Sequence, residues 1–180
     1  MKPIWKFSEK RFPNVQEFLR RMLEKGFRVS VWQTPNIGRE NPFYRQAVEN
    51  RFLPPENEKS SMITASDFSG QDFGGQIDFT NPSAAMWYGN LLRGLLNIGV
   101  ACIKTDFGEE IHMDAKYHGM DAEKLRNIYA LLYQKAAFDI TREVTGDGII
   151  WARAGWAGCQ RYPVHWGGDA ACTWQGMAGS

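Results

Sequence analysis

Two segments of the 180-residue sequence combine carboxylates with residue types suited to nucleophilic or acid–base chemistry. The first is Lys104-Thr105-Asp106-Phe107-Gly108-Glu109, which ends a strongly apolar run. In an extended strand Lys104 and Asp106 project from the same face, because side chains alternate between faces. A nearby lysine stabilises an ionised carboxylate, which is the form that a nucleophile requires. An ion pair that closes the end of a sheet is an equally good interpretation of this segment alone.

The second segment is His165-Trp166-Gly167-Gly168-Asp169. Two consecutive glycines let the backbone pass close to a ligand. We expect Trp166 and Trp174 to exclude water from Asp169, which would favour its protonated form. Two carboxyl groups in such different surroundings suit a reaction in which one attacks and the other protonates a leaving oxygen. The alternative for Asp169 is an ordinary turn residue after two glycines.

Arg153 and Trp32 are two further candidates, because each ends a short apolar run. Arg153 closes the segment Trp151-Ala152-Arg153 and can form a fork of hydrogen bonds to sugar hydroxyls or to a catalytic carboxylate. A strand-end arginine that faces solvent is the alternative. Trp32 can form the floor of a sugar pocket, although a tryptophan in the core fits the same pattern.

Other charged residues between the two segments give weaker signals. His112 and His118 lie on either side of Asp114, but their spacing matches no standard zinc pattern. Glu109 and Glu110 are interpreted as loop charges. The sequence therefore predicts neither a metal nor a cofactor.

Composition excludes several classes of function. With 21 Lys+Arg against 20 Asp+Glu, the net charge is +1 and no basic run suggests a nucleic-acid partner. No apolar segment suggests a membrane span or a secretory signal, so we expect a cytoplasmic protein. The three cysteines form no close pair, which favours free thiols over disulfides or a zinc knuckle: Cys102, Cys159 and Cys172.

The elements that must position these side chains follow an alternating pattern. Apolar spacing and end signals predict helices over residues 14–25, 81–98 and 121–144. A short apolar strand follows each helix, over residues 27–32, 100–105 and 149–152, and a fourth apolar stretch covers residues 162–166. Helices that alternate with such strands indicate a parallel α/β sheet or barrel.

Connection lengths place the candidate residues at one end of that sheet. The strand-to-helix connections 33–80 and 107–120 are long, whereas the turns at Gly26, Gly99 and Gly146 are tight. Ligands bind at the carboxyl ends of strands in barrels and in open parallel sheets. The linker-like stretch 53–58 lies inside the first long connection and marks no domain boundary.

Together, the segments that contain Asp106, Arg153 and Asp169 resemble the catalytic blocks of glycoside hydrolase family 31, especially its bacterial α-xylosidase and α-glucosidase-like members. Three upstream segments match in the family's order: Arg11-Phe12-Pro13, Val31-Trp32-Gln33-Thr34-Pro35 and Ile77-Asp78-Phe79-Thr80-Asn81-Pro82. One difference from the family lies directly after Arg153. This sequence has Ala154 and Gly155 where many members have a serine.

The resemblance implies a role for each candidate residue. Asp106 would be the nucleophile of a retaining mechanism and Asp169 the general acid/base. The subsite for the non-reducing sugar would be lined by Trp32, Lys104 and Arg153, with walls from Phe107 and Trp166.

The resemblance also implies a (β/α)8 TIM barrel, and a complete barrel needs about 250 residues or more. Residues 1–180 would supply about strands three to six with their helices, truncated at both ends. Such a partial barrel would expose strand edges and apolar interior surface. We therefore expect self-association or a requirement for the missing barrel complement.

The function implied is a retaining exo-acting α-glycosidase that acts on an oligosaccharide or an α-glycoside. One alternative is a truncated, inactive fragment that at most binds sugars. A second is an α-transglycosylase that uses the same site. An α/β oxidoreductase is disfavoured, because no glycine-rich dinucleotide fingerprint follows a strand.

Overall fold

A parallel three-stranded sheet lies at the centre of the computed structural model, which describes residues 4–55 and 74–179. Its strands are β1 (Ser30–Gln33), β4 (Cys102–Thr105) and β5 (Ile150–Ala152), in the order β1-β4-β5. A separate antiparallel pair is formed by β2 (Asn36–Ile37) and β3 (Gly75–Gln76). The predicted parallel α/β arrangement is therefore confirmed.

Six α-helices occur in the described residues, and the longest of them packs against one face of this sheet. They are α1 (Val15–Glu24), α2 (Tyr44–Glu49), α3 (Pro82–Asn97), α4 (Ala122–Leu125), α5 (Tyr129–Thr145) and α6 (Trp174–Ala178), with a 3-10 turn at Cys159–Arg161. None of the helices in the described ranges is long and apolar enough to span a bilayer.

The predicted helix signals operate as expected at α1 and α3. Asn14 accepts a hydrogen bond from the backbone N–H of Glu17 and so caps α1. Asn81 caps α3 in the same way, and Pro82 occupies the first turn, where its missing N–H has no partner to lose. Gly146 ends α5 in the left-handed conformation, with φ of 81°.

The predicted third helix, over residues 121–144, is wrong as a single element. The structure has α4 and α5, separated by a break at Ile128, whose φ and ψ are −118° and −1°. Leu125 and Tyr129 are both completely buried on either side of the break. The apolar spacing continues across the break, so the pattern does not reveal it.

The hydrophobic core lies between the sheet and the helices α3 and α5. Ile103 and Ile150 point into it from the sheet and are completely buried. Aromatic rings fill its centre, with Phe79 packed edge-on against Tyr88 at 5.2 Å between centroids. The apolar stripe predicted for α1 is buried only at Leu19.

The fourth apolar stretch lies beside β5 in parallel, as predicted, but it forms one bridge, between Ala152 and His165, rather than a regular strand. The long connection 33–80 contains β2, α2 and β3, so it is more structured than the loop that the sequence suggests. Within the linker-like stretch 53–58, residues 56–58 lie outside the described residues.

Candidate active site

The carboxyl ends of β1, β4 and β5 bring the main candidate residues together. Trp32, Lys104 and Trp151 are register partners across the three strands and project from the face opposite the helices. Two residues further along the same face come Asp106 and Arg153. Their backbones continue the sheet, because Asp106 N donates to Gln33 O at 2.9 Å and Arg153 N to Thr105 O at 3.1 Å.

The Asp106 carboxylate is buried and held from three directions. The residue is 7% exposed. Trp32 Nε1 donates to Oδ2 at 2.6 Å, and the backbone N–H of Phe107 donates to Oδ1 at 2.9 Å. Arg153 Nη1 lies 3.0 Å from Oδ1. Both carboxylate oxygens therefore have donors, and a guanidinium balances the negative charge.

Arg153 is itself held by Glu109. Its Nε and Nη2 donate to the two Glu109 carboxylate oxygens at 2.6 and 2.9 Å, which is a bidentate pair. The guanidinium carbon lies 4.1 Å from the centroid of the Phe107 ring. The hydrogen bond that Arg153 donates to Glu109 is the main cause that raises the pKa of Arg153, and the charges of Glu109, Asp106 and Asp169 add to it.

The structure adds to one sequence interpretation and corrects another. Glu109 lies in a loop, as predicted, and its carboxylate forms the bidentate pair with Arg153. The cation against Asp106 is Arg153 instead of Lys104, whose Nζ lies 3.8 Å from the centroid of the Trp166 ring and 5.2 Å from that of Trp151. Lys104 and Asp106 do share a face, but the lysine side chain turns toward the two indole rings.

A sharp backbone turn follows Asp106. Phe107 and Gly108 both have positive φ, of 60° and 98°. Tyr133 of α5 supports the turn from below, because its hydroxyl lies 3.3 Å from the carbonyl oxygen of Asp106 and 3.4 Å from that of Gln33. A Cβ atom on Gly108 would lie 3.0 Å from Tyr133 Cδ1. Tyr133 is not among the residues predicted from the sequence, since its ring also fits the apolar stripe of α5.

Asp169 occupies a much more open position. The residue is exposed, and Trp174 is 80% exposed, so the predicted enclosure of Asp169 by Trp166 and Trp174 is wrong for this chain. Trp166 instead donates its indole N–H to Gly168 O at 2.5 Å. The backbone N–H of Trp166 donates to Ala152 O at 2.9 Å at the end of β5, and Asp169 follows three residues later, so it lies at the same end of the sheet as Asp106. The negative charge of Asp169 also contributes to raising the pKa of Arg153.

The described residues contain no cluster of three His, Cys, Asp or Glu side chains that could hold a metal ion. His118 donates its backbone N–H to Asp78 Oδ2 at 2.7 Å, and His112 donates its own to the Tyr117 hydroxyl at 3.0 Å. Both histidine backbones thus tie down the loop after Asp106. The three cysteines are free: Cys102 half-buried, Cys159 buried and Cys172 exposed.

Comparison with known proteins identifies a family to which the chain is similar. The profile of the glycosyl hydrolases family 31 TIM-barrel domain matches residues 2–180. An α-xylosidase of Emericella nidulans is 33% identical over an alignment of 180 positions, which covers 98% of this chain and 23% of that protein. The α-xylosidase XylQ of Lactiplantibacillus pentosus is 31% identical over an alignment of 152 positions, which covers 82% of this chain and 20% of that protein.

The solved structure of a family 31 sulfoquinovosidase from E. rectale superposes with a TM-score of 0.77 at 26% identity. The match covers 92% of this chain and 25% of that one. The chain thus spans about a quarter of the length of the relatives that it matches.

Proposed function

The chain belongs to glycoside hydrolase family 31, and from this premise we propose that it carries the catalytic centre of a retaining exo-acting α-glycosidase. Asp106 is the nucleophile and Asp169 the general acid/base in this proposal. The observation that supports it best is the Asp106 carboxylate, which is buried, hydrogen-bonded through both oxygens and paired with Arg153. A nucleophile must be aimed at one carbon atom, and these contacts fix its direction.

The proposed reaction has two steps. In the first, an Asp106 oxygen bonds to the anomeric carbon while the glycosidic C–O bond breaks, and Asp169 gives its proton to the leaving oxygen. In the second, Asp169 takes a proton from water as the water oxygen attacks the anomeric carbon, and the bond to Asp106 breaks. The sugar leaves with its original configuration. Such a mechanism needs the two carboxyl groups about 5 Å apart.

The sugar in this proposal lies over the face of the sheet opposite the helices. Trp32 and Arg153 line it beside Asp106, with the Phe107 ring stacked against the guanidinium. Lys104 and Trp166, which contact each other, form a second polar and aromatic group on the same face. The similarity to two α-xylosidases favours an α-xyloside over an α-glucoside as the first substrate to test.

The chain also represents, in this proposal, the central part of the barrel. β1, β4, β5 and the bridge at His165 would correspond to strands three to six. Trp151 is 41% exposed on the face that a closed barrel would cover. A barrel complement or self-association would bury that face, and the cytoplasmic location remains a prediction.

The test is hydrolysis of an aryl α-xyloside and an aryl α-glucoside by the wild-type chain, Asp106→Ala and the control Asp147→Ala. Asp147 is a surface residue whose carboxylate pairs with Arg28 at 3.2 Å. We expect release of the aryl alcohol by the wild type and by Asp147→Ala, but none by Asp106→Ala. Proton NMR of the first sugar formed should show the α-anomer, and an added acceptor sugar reveals transglycosylation.

The same experiment separates the enzyme from a binding-only chain. If the wild type releases no aryl alcohol yet binds the glycoside, the chain is a sugar-binding remnant. First formation of the β-anomer would reject the retaining mechanism while leaving a glycosidase.

A further inference from the structure

We infer that Glu109 is a positioning residue, which holds the Arg153 guanidinium so that a single N–H group faces the Asp106 carboxylate. This inference rests on the proposed role of Asp106 as nucleophile. Glu109 itself would touch neither the sugar nor the reacting atoms. It would act through Arg153.

The donors of Arg153 are divided between two carboxylates. Nε and Nη2 form the fork to Glu109, and Nη1 is the atom that contacts Asp106. An arginine fork fits one carboxylate with two parallel hydrogen bonds. Because Glu109 takes the fork, Asp106 receives one contact at 3.0 Å, and its Oδ2 accepts from Trp32 instead.

Without Glu109 this division would be lost. The guanidinium would be free to rotate and offer two donors to Asp106, or to turn toward solvent, since the Arg153 side chain is 23% exposed. The Phe107 ring covers one face of the guanidinium. This stacking does not prevent the guanidinium from rotating within its own plane. A bidentate Arg153–Asp106 pair would occupy both oxygens of the nucleophile and displace the Trp32 contact.

The backbone turn delivers Glu109 to this position. Positive φ values at Phe107 and Gly108 reverse the chain directly after Asp106. Glu109, three residues after Asp106, therefore reaches back to the arginine that ends the neighbouring strand. Its side chain is 43% exposed, whereas that of Asp106 is 10% exposed, so Glu109 lies on the solvent side of Arg153.

The test uses the whole 180-residue chain labelled with ¹⁵N and two NMR signals in the absence of substrate. The Arg153 Nε–H signal reports the fork to Glu109, and the Trp32 indole N–H signal reports the Asp106 carboxylate. Each signal is assigned by its loss in one variant, Arg153→Lys for the first and Trp32→Phe for the second.

The test variants are Glu109→Gln, which removes the charge, and Glu109→Asp, which keeps the charge but shortens the side chain. Glu110→Gln is the control, because Glu110 accepts a hydrogen bond from Gln76 through its backbone carbonyl oxygen, which the substitution keeps.

In Glu109→Gln we expect exchange of the Arg153 Nε–H with water to accelerate roughly tenfold, as for loss of a hydrogen bond to a charged group. The Trp32 indole signal should shift, while the thermal unfolding midpoint stays close to the wild-type value. Glu109→Asp should restore part of both signals, and Glu110→Gln should change neither. Unchanged Arg153 and Trp32 signals in folded Glu109→Gln would overturn the inference, as would a lowered midpoint with both signals unchanged.

If Glu109→Gln fails to fold, the wild type alone decides. Arg153 Nε–H should then exchange more slowly than Arg45 Nε–H, whose partner Glu49 is at the exposed surface and whose own side chain is 89% exposed. Equal exchange rates would reject the inference. These signals require no turnover, so absence of glycosidase activity rejects the proposed function without affecting this result.

Discussion

The two carboxylates proposed for catalysis lie in contrasting surroundings. Asp106 is 7% exposed, and three donors fix its oxygens: one from β1, one from the residue after β5 and one from its own turn. Asp169 is exposed and follows two glycines at the point where the chain leaves the sheet. Its negative charge contributes to raising the pKa of Arg153.

The contrast shows which part of a site a partial barrel can complete. A nucleophile is oriented by its immediate hydrogen-bond partners, and here they come from the strands that flank β4 and from the turn after Asp106. A general acid needs a neighbourhood that keeps its proton, and such a neighbourhood comes from surfaces that close over it. Here the substrate or a barrel complement would supply that surface for Asp169.

The largest expected effect is the loss of kcat/KM in the two aspartate variants. This loss should depend on the leaving group of the substrate for Asp169 but not for Asp106. Asp106→Ala should lower kcat/KM by about 10⁴-fold or more for every glycoside, because no covalent intermediate can form. Asp169→Ala should lower it by about 10²–10⁴-fold for alkyl glycosides, the usual contribution of general acid catalysis. With a nitrophenyl leaving group, which departs without a proton, the first step should recover in Asp169→Ala alone.

Steady-state rates with a series of aryl α-xylosides measure this difference, and Asp147→Ala is the matched surface control. Equal losses in both aspartate variants across the series would remove the division of roles.

The next effect concerns the indole donor to Asp106. Trp32→Phe keeps an aromatic ring but removes the N–H that lies 2.6 Å from Oδ2. A hydrogen bond to a charged group contributes about 1.5–3 kcal/mol, so kcat should fall roughly 10- to 100-fold. Stopped-flow kinetics measures the change. A kcat within twofold of the wild type would mean that the indole does not orient the nucleophile.

Alanine substitutions at two glycines test the contrast through the free energy of unfolding. Gly108 has φ of 98°, and an added Cβ would meet Tyr133 at 3.0 Å, whereas an added Cβ on Gly168, with φ of 90°, meets nothing within 4 Å. Both alanine variants adopt a left-handed conformation, which costs about 1–2 kcal/mol. Gly108→Ala also compresses the core and should lower the free energy of unfolding by about 1 kcal/mol more. Urea titrations compare the two, and equal losses would contradict tight packing beneath Asp106.

The smallest effect is that of Tyr133→Phe. The ring stays in the core beside Phe79, but the carbonyl oxygens of Asp106 and Gln33 lose the hydroxyl donor. The free energy of unfolding should fall by about 0.5–1.5 kcal/mol. The same urea titration measures it, with Tyr162→Phe, on a half-buried ring, as the control. An unchanged midpoint would show that the hydroxyl does not support the turn.

Much of the fold follows from local signals in the sequence. Asn14 and Asn81 cap their helices, Gly146 ends α5, and the parallel order follows from helices that alternate with strands. The break at Ile128 is invisible in the sequence, because apolar residues keep helical spacing on both sides of it. The spacing of apolar residues predicts which side of a helix is buried. It does not predict where the helical backbone is interrupted.

For the site, the sequence predicts which residues lie at the same end of the sheet. Trp32, Asp106 and Arg153 do meet there. Which cation pairs with Asp106 could not be predicted, because Lys104 and Arg153 lie on the same face and the choice depends on two indole rings from a neighbouring strand and loop. One sequence signal indicates the role of Glu109. Glu109 follows β4 and Arg153 follows the adjacent parallel strand β5, so two opposite charges lie at the ends of neighbouring strands.

The most direct measurement is covalent trapping. A 5-fluoro-α-xylosyl fluoride slows the second step more than the first, so a retaining enzyme accumulates the glycosyl intermediate. After brief incubation and proteolysis, mass spectrometry should find one fluoroxylosyl group on the peptide that contains Asp106, and none in Asp106→Asn. A label on another carboxylate, or turnover of the reagent with no labelled peptide at any time, would contradict the proposal that Asp106 is the nucleophile.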